Sequence, residues 1–249
     1  MTTNYCKLIM LAGLTILGAG CVTTPKANPF TVSKEDILSR VKTVAVAPLR
    51  MDDEIPNATQ AKQDYDALIV SELNSVGFQT VPSTDYEQTF NRLRDEVGGF
   101  FDPNTGKADK EKFKKVQELC RRELATKFHA DAVLYPTMEV YSISFARDWA
   151  VWCGTKESAS DASWLEQAFV GTHSGTIPAL TLCIGLYDID GNKMYSRCAG
   201  VQLLDKVRGF GFRKVPDERI LTDAQRNANA VTFAFGPLHE GEQAAKTRN

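Results

Sequence analysis

Residues able to do chemistry are plentiful in this chain, but few stand at the spacing that chemistry requires. Gly106-Lys107 ends like a phosphate-binding loop, yet no glycine lies five positions before Gly106, and Ala108 stands where the motif needs Ser or Thr. The run GTHSG at 171–175 carries its serine one place too late for a nucleophile elbow. Asp188 and Asp190 are spaced like calcium ligands, but the loop glycine comes too early and Ala199 occupies the twelfth position, where the loop needs Glu. Gly209-Phe210-Gly211 meets Lys214 where a dinucleotide fingerprint needs a third glycine. His129, His173 and His239 lie far apart and show no metal-ligand spacing. The expectation is therefore a protein that is not an enzyme, with no metal and no cofactor.

The cysteines say more. Cys21 closes an apolar stretch, Leu8 to Ala19, preceded by the single basic residue Lys7. The stretch is shorter than the roughly 18 apolar residues that span a bilayer as a helix, and has the layout of a secretory signal. Gly18-Ala19-Gly20-Cys21 resembles the lipobox of bacterial lipoproteins, although Leu17 sits one place further back than the family's usual leucine. That resemblance implies acylation of Cys21, which becomes the mature N-terminus. Each buried methylene then contributes about 0.8 kcal/mol to anchoring. Val22 follows the cysteine in place of the Asp of inner-membrane retention, which implies an outer-membrane lipoprotein facing the periplasm. The expected organisation is signal peptide 1–20, lipidated cysteine and flexible tether 21–32, an α/β domain over 33–238, and a loose tail 239–249.

An oxidising compartment permits disulfides among Cys120, Cys153, Cys183 and Cys198. Asp190-Gly191 is a hairpin signal between ALTLCIGLYD and KMYSRCAGVQL. Centring the turn there sets Cys183 opposite Cys198 and gathers Leu180, Leu182 and Leu186 with Val201, Ala199 and Tyr195 on one face. Arg197 opposite Ile184 is the exception. A two-residue loop would put the cysteines in a wide, hydrogen-bonded pair, whereas a four-residue loop, Ile189 to Asn192, would make the pair narrow. Both a disulfide and two unpaired thiols remain open. Cys120 lies on the apolar stripe of a helix and reads as a buried hydrophobe.

These residues are positioned by a regular succession of elements. Ser33 caps a short helix to Arg40, and TVAVAPL at 43–49 is a strand. A helix over 61–76 is stopped by Gly77, and FQTV at 78–81 is the next strand. Thr84 and Glu87 form a capping box opening a helix to about 96. A turn-rich segment, 98–107, leads to a long helix over 108–128. Its Glu111–Lys115, Glu118–Arg122 and Glu123–Lys127 pairs read as a solvated face. A strand at 131–145, the hairpin 178–204 and a helix from 217 to about 231 complete the series. The class is α/β (α+β), a mixed sheet with helices packed on it.

KTVAVAPL, LNSVGFQTV, HADAVLYPTMEV and GLYDIDGNKMYSR occur in an order that resembles a bacterial envelope domain. That domain is shared by the N-terminal domain of the Tol translocation propeller protein, the curli-secretion lipoprotein and the lipoprotein activator of a penicillin-binding protein. The resemblance spans roughly residues 40–230. It implies an anchored domain that binds an envelope protein partner or itself and brings no catalytic residue. A formal net charge of −2 carries no nucleic-acid footprint. The insert 141–175 holds Tyr141, Phe145, Trp149, Trp152 and Trp164, which serve either as a partner contact or as core filling above the sheet. Arg147 and Glu166 share strand faces with its tryptophans, which spoils the clean lipid face of a spanning hairpin. The sheet face with Gly185, Tyr187, Met194 and Ser196 is the second expected contact surface.

Overall fold

The computed structural model describes residues 28–101, 105–162, 171–209 and 211–239. Cys21 and Trp164, the proposed signal peptide and most of the tether and tail lie outside them. The elements are α1 (Lys34–Arg40), β1 (Thr43–Val46), α2 (Ala58–Val76), β2 (Gln79–Val81), α3 (Ser83–Glu96) and α4 (Lys110–Phe128). There follow β3 (Ala132–Ala146), β4 (Trp149–Trp152), β5 (Thr155–Ser158), β6 (Ser174–Asp188) and β7 (Lys193–Leu203). The ribbon β8 (Asp205–Arg208) and β9 (Gly211–Lys214), a 3-10 turn (Asp217–Arg219) and α5 (Ala224–His239) close the series.

The sheet is mixed. β1 lies parallel to β2 on one side and to β3 on the other. β3 pairs antiparallel with β6 from Ala132↔Asp188 to Ala146↔Ser174, and β6 with β7. The hairpin β4–β5 joins the far end of β3 through Phe145↔Ala150 and Ala146↔Trp149. Side chains alternate across a strand, and here the alternation divides two cores. Val44, Val46, Leu134, Leu182, Ile184 and Leu186 face α1, α2 and α5. Ala45, Ala47, Val133 and Tyr135 face α3 and α4. A third cluster, including Phe145, Trp152, Ile177 and Leu203, lies under the hairpin. The α/β class read from the pattern is the observed one.

Local signals explain most boundaries. The Ser33 hydroxyl accepts the amide of Asp36 at 3.1 Å, and Gly77 ends α2 at φ +101°. Of the boundaries that differ from expectation, two have an identifiable cause. α3 starts at Ser83, with the Pro82 carbonyl accepting the Asp85 amide at 3.1 Å, so Thr84 falls inside the first turn and does not cap it. The last helix starts at Ala224. Residues 217–221 are held out of helix by side chains from three other places. Asn57 donates to the carbonyls of Asp217 and Ile220, Gln202 accepts the Leu221 amide, and Asn227 donates to the Leu221 carbonyl. Leu221 is thereby fixed at φ +60°, a conformation that costs a non-glycine residue free energy.

In the β6–β7 hairpin Cys183 faces Cys198, Leu182 faces Ala199 and Leu186 faces Tyr195. Two bulges interrupt this register, and Leu180 consequently meets Gln202 and Tyr187 meets Lys193. The second bulge corrects the reading of Met194. With one extra residue on β7, Met194 and Tyr195 both turn into the core, and Met194 is 7% exposed. Arg197, the exception on the apolar face, lays its guanidinium 3.9 Å from the centroid of the Phe233 ring, a cation–π contact that accommodates the charge.

Cys183 and Cys198 form a disulfide with their Cα atoms 4.0 Å apart, the close approach of a narrow pair. It closes a 15-residue separation, for which chain entropy gives about 3 kcal/mol. Replacing both cysteines by serine is expected to lower stability by about 2–4 kcal/mol. Urea unfolding checks this; a midpoint equal to the parent's would show that the bridge does not stabilise the fold.

Candidate functional site

α3 and α4 cover β1, β2 and the start of β3, while the hairpin β4–β5 covers the far end of the same face. The Trp152 indole donates to the Thr181 hydroxyl at 3.2 Å, and Thr155 Oγ1 donates to the Gly200 carbonyl at 2.6 Å. Between these covers the sheet is open. The opening is a groove of about 680 Å³. Tyr86, Phe90, Phe113, Lys114, Gln117 and Arg121 form its helical wall, and Tyr135, Thr137, Cys183, Gly185, Tyr187 and Ser196 its floor.

Helical spacing aligns the wall, since residues four apart share a face. Tyr86 and Phe90 are so related, as are Phe113, Gln117 and Arg121. The rings make one connected band. Phe113 meets Phe90 at 6.1 Å, Phe90 meets Tyr86 at 5.9 Å, Tyr86 meets Tyr135 at 6.0 Å, and Tyr135 meets Tyr187 at 5.5 Å between centroids. Tyr187 lies down over Gly185, where an added Cβ would come within 2.8 Å of its ring. Lys193 Nζ stands 5.9 Å from the same ring. Arg121 braces the band against the hairpin turn by donating to the Ile189 carbonyl at 3.2 Å.

Burial pushes the phenols of Tyr86 and Tyr135 up, and the neighbouring Arg121 charge works against it on both. Both rings are therefore neutral donors over the physiological range. The Tyr135 hydroxyl is buried beside the Tyr86 hydroxyl and the Arg121 guanidinium, without a hydrogen bond of ordinary length to either. The groove thus combines apolar rings, a basic rim of Arg50, Lys114 and Arg121 against the single acid Glu87, and the phenol hydroxyls of its tyrosines. It suits binding of an extended partner that brings apolar and acidic groups.

The residues expected from sequence divide between surface and interior. Tyr187, Gly185 and Ser196 meet in the groove, and Met194 does not. Tyr141 stands beside it, with its hydroxyl 3.5 Å from Cys183 Sγ. Phe145 and Trp152 are buried under the hairpin, whereas Trp149 is 48% exposed beneath Lys156 Nζ at 4.5 Å. Tyr86, Phe90, Phe113 and Tyr135 were missed as site residues. The i, i+4 spacing of Tyr86 and Phe90 is a signal in the sequence, but it reads equally as core packing, and Phe113 and Tyr135 belong to other elements.

His173 has a partner that its sequence neighbourhood did not announce. Asp148, 4% exposed, accepts the His173 backbone amide at 2.9 Å and pairs with its Nδ1 at 3.0 Å. The Asp148 amide donates back to the His173 carbonyl at 3.0 Å. The pair clamps the β3–β4 turn, where Arg147 and Asp148 both have positive φ, to the entry of β6. Among the described residues no hydroxyl or thiol is hydrogen-bonded to the imidazole, and no group of three or more His, Cys, Asp or Glu side chains is placed to hold a metal. No helix among them is long and apolar enough to cross a membrane.

The fold and groove define an α/β domain with a partly uncovered sheet face. No protein-family model and no curated protein sequence matches the chain. Among solved structures it is similar to a point variant of the PelC dodecamer from Paraburkholderia phytofirmans. That likeness has 13% identity and a TM-score of 0.36, covering 80% of this chain and 90% of that one. A second PelC dodecamer from the same organism gives 11% identity and a TM-score of 0.33, covering 79% of this chain and 86% of that one. Likeness at this level carries no functional argument.

Proposed function

We propose that the protein is a non-catalytic lipoprotein, anchored in the outer membrane through Cys21, whose periplasmic domain docks an envelope protein in the groove of its open sheet face. The observation that carries this reading is the connected aromatic band from Phe113 to Tyr187 with its basic rim. Aromatic and arginine side chains dominate binding energy where they sit in a desolvated pocket. A second reading, self-assembly, is favoured by a different surface. Trp149 and Val151 share the outer face of β4, at 48% and 68% exposure.

Cross-linking in living cells, with capture through a C-terminal tag, tests both. The combined Phe113→Ala and Tyr187→Ala substitution is expected to weaken partner capture at least about tenfold, corresponding to about 1.4 kcal/mol. Trp149→Ala should leave that partner attached. Retention by the groove variant with loss on Trp149→Ala would move the contact to the hairpin, and self-adducts alone would favour assembly of this chain with itself.

A further inference from the structure

Three cysteines flank the open face: Cys183 on the groove floor, its partner Cys198 on β7, and Cys153 in the loop that meets β7 at Gly200. Cys183 and Cys198 are bridged and are only half-buried. Cys153 is a free, half-buried thiol in the two-residue loop between Trp152 and Thr155. This loop bends over the edge of β7, where the Gly200 amide donates to the Cys153 carbonyl at 3.1 Å. Gly200 and Cys198 are two residues apart on one strand, so they point to the same face. Tyr141 joins the group from the other side. Its hydroxyl lies 3.5 Å from Cys183 Sγ, and its phenol is pushed up by burial, then by Glu139 and Cys153.

The backbone at Cys153 is a second observation. Cys153 and Gly154 have φ of +41° and +79°. A tight hairpin with two positive φ values favours Asn or Asp followed by Gly. Glycine is required at the second position, where an added Cβ would come 2.0 Å from Phe233. Cysteine at the first is a locally unfavourable choice. The residue that bears this cost is the free cysteine whose carbonyl is held by β7 two residues from Cys198.

We propose that Cys153 and the Cys183–Cys198 bridge form an intrachain thiol–disulfide exchange centre. Burial pushes the Cys153 thiol up, so the minor thiolate form is the nucleophile. It attacks Cys198 Sγ, a Cys153–Cys198 bond forms, and the Cys183–Cys198 bond breaks. The electron pair leaves on Cys183, which takes up a proton for the one Cys153 has lost. No external oxidant or reductant is consumed. The exchange moves the covalent link from β6–β7 to the loop and β7, and frees a thiol on the groove floor. This inference stands whether or not the groove docks a partner.

The test equilibrates the full chain in buffers of reduced and oxidised glutathione, quenches with acid, blocks free thiols with N-ethylmaleimide and maps the non-reduced peptides. In the parent, Cys183–Cys198 is expected as the major link with Cys153–Cys198 as a minor one. In Cys183→Ser, Cys153–Cys198 should become the predominant link. Cys120, fully buried and with its thiol pushed up to about 12 by burial, should stay unmodified by a pulse of the same reagent in every folded sample. Recovery of Cys153 and Cys198 only as free thiols or glutathione adducts in folded Cys183→Ser overturns the proposal. Should that variant fail to fold, the parent decides: Cys183–Cys198 as the sole protein disulfide across the whole redox series overturns it equally.

Discussion

Trp152→Ala is expected to destabilise the domain by about 3–5 kcal/mol, the range for removing a buried tryptophan. Trp152 is 7% exposed, and its indole packs on Gly200, where an added Cβ would come within 2.6 Å of it. Its Nε1 satisfies the fully buried Thr181 hydroxyl. Deleting the ring therefore opens a cavity and leaves a buried polar group without its partner. For a domain of this size the melting temperature should fall by roughly 6–20 °C. Trp149→Ala, three residues away, removes an exposed ring and should change stability by no more than about 1 kcal/mol. Calorimetry on the two variants checks the contrast; equal melting temperatures would show that the hairpin does not pack as described. Loss of partner capture in Trp152→Ala would consequently report unfolding of the hairpin, and Trp149 is the position that tests the surface.

Asn227→Leu should be the second severe change. Asn227 is 3% exposed and serves two buried groups at once. Its Oδ1 accepts the Tyr65 hydroxyl at 3.1 Å, and its Nδ2 donates to the Leu221 carbonyl at 2.8 Å. Leucine matches the volume but leaves both groups unpaired, at about 1–3 kcal/mol each, or about 2–6 kcal/mol together. Leu221 would also lose one of the two side-chain hydrogen bonds that hold it at φ +60°. Tyr65→Phe removes only the first bond and should cost less. Chemical denaturation separates the two: if Asn227→Leu costs no more than Tyr65→Phe, the carbonyl of Leu221 does not depend on Asn227.

The helices and the hairpin were legible because their signals are local. Ser33 caps, Gly77 stops, and the apolar period of two in β6 and β7 sets Cys183 opposite Cys198 from either side of a turn. Locality also explains the misses. Thr84 and Glu87 have the spacing of a capping box, but the Pro82 carbonyl starts the helix earlier. Residues 217–221 have helical composition, but Asn57, Gln202 and Asn227 take their backbone groups first. No sequence window contains these partners.

The candidate site follows the same division. Apolar periodicity by itself determined that Cys120 lies on the apolar stripe of its helix, and that the chain folds as helices on a mixed sheet. Whether an apolar face meets another element or remains open depends on how far each covering helix reaches across the sheet. Only the tertiary structure decided that. α3 and α4 stop short of β6 and β7, the bulge at Tyr187 turns Met194 inward, and the β4–β5 hairpin folds back over Thr181 and Gly200. Together they leave an open face between two covers, with a disulfide on its floor and the free Cys153 in the loop at the edge of β7. Burial is a sum over neighbours distant in sequence, and periodicity names the side of an element without naming what covers it.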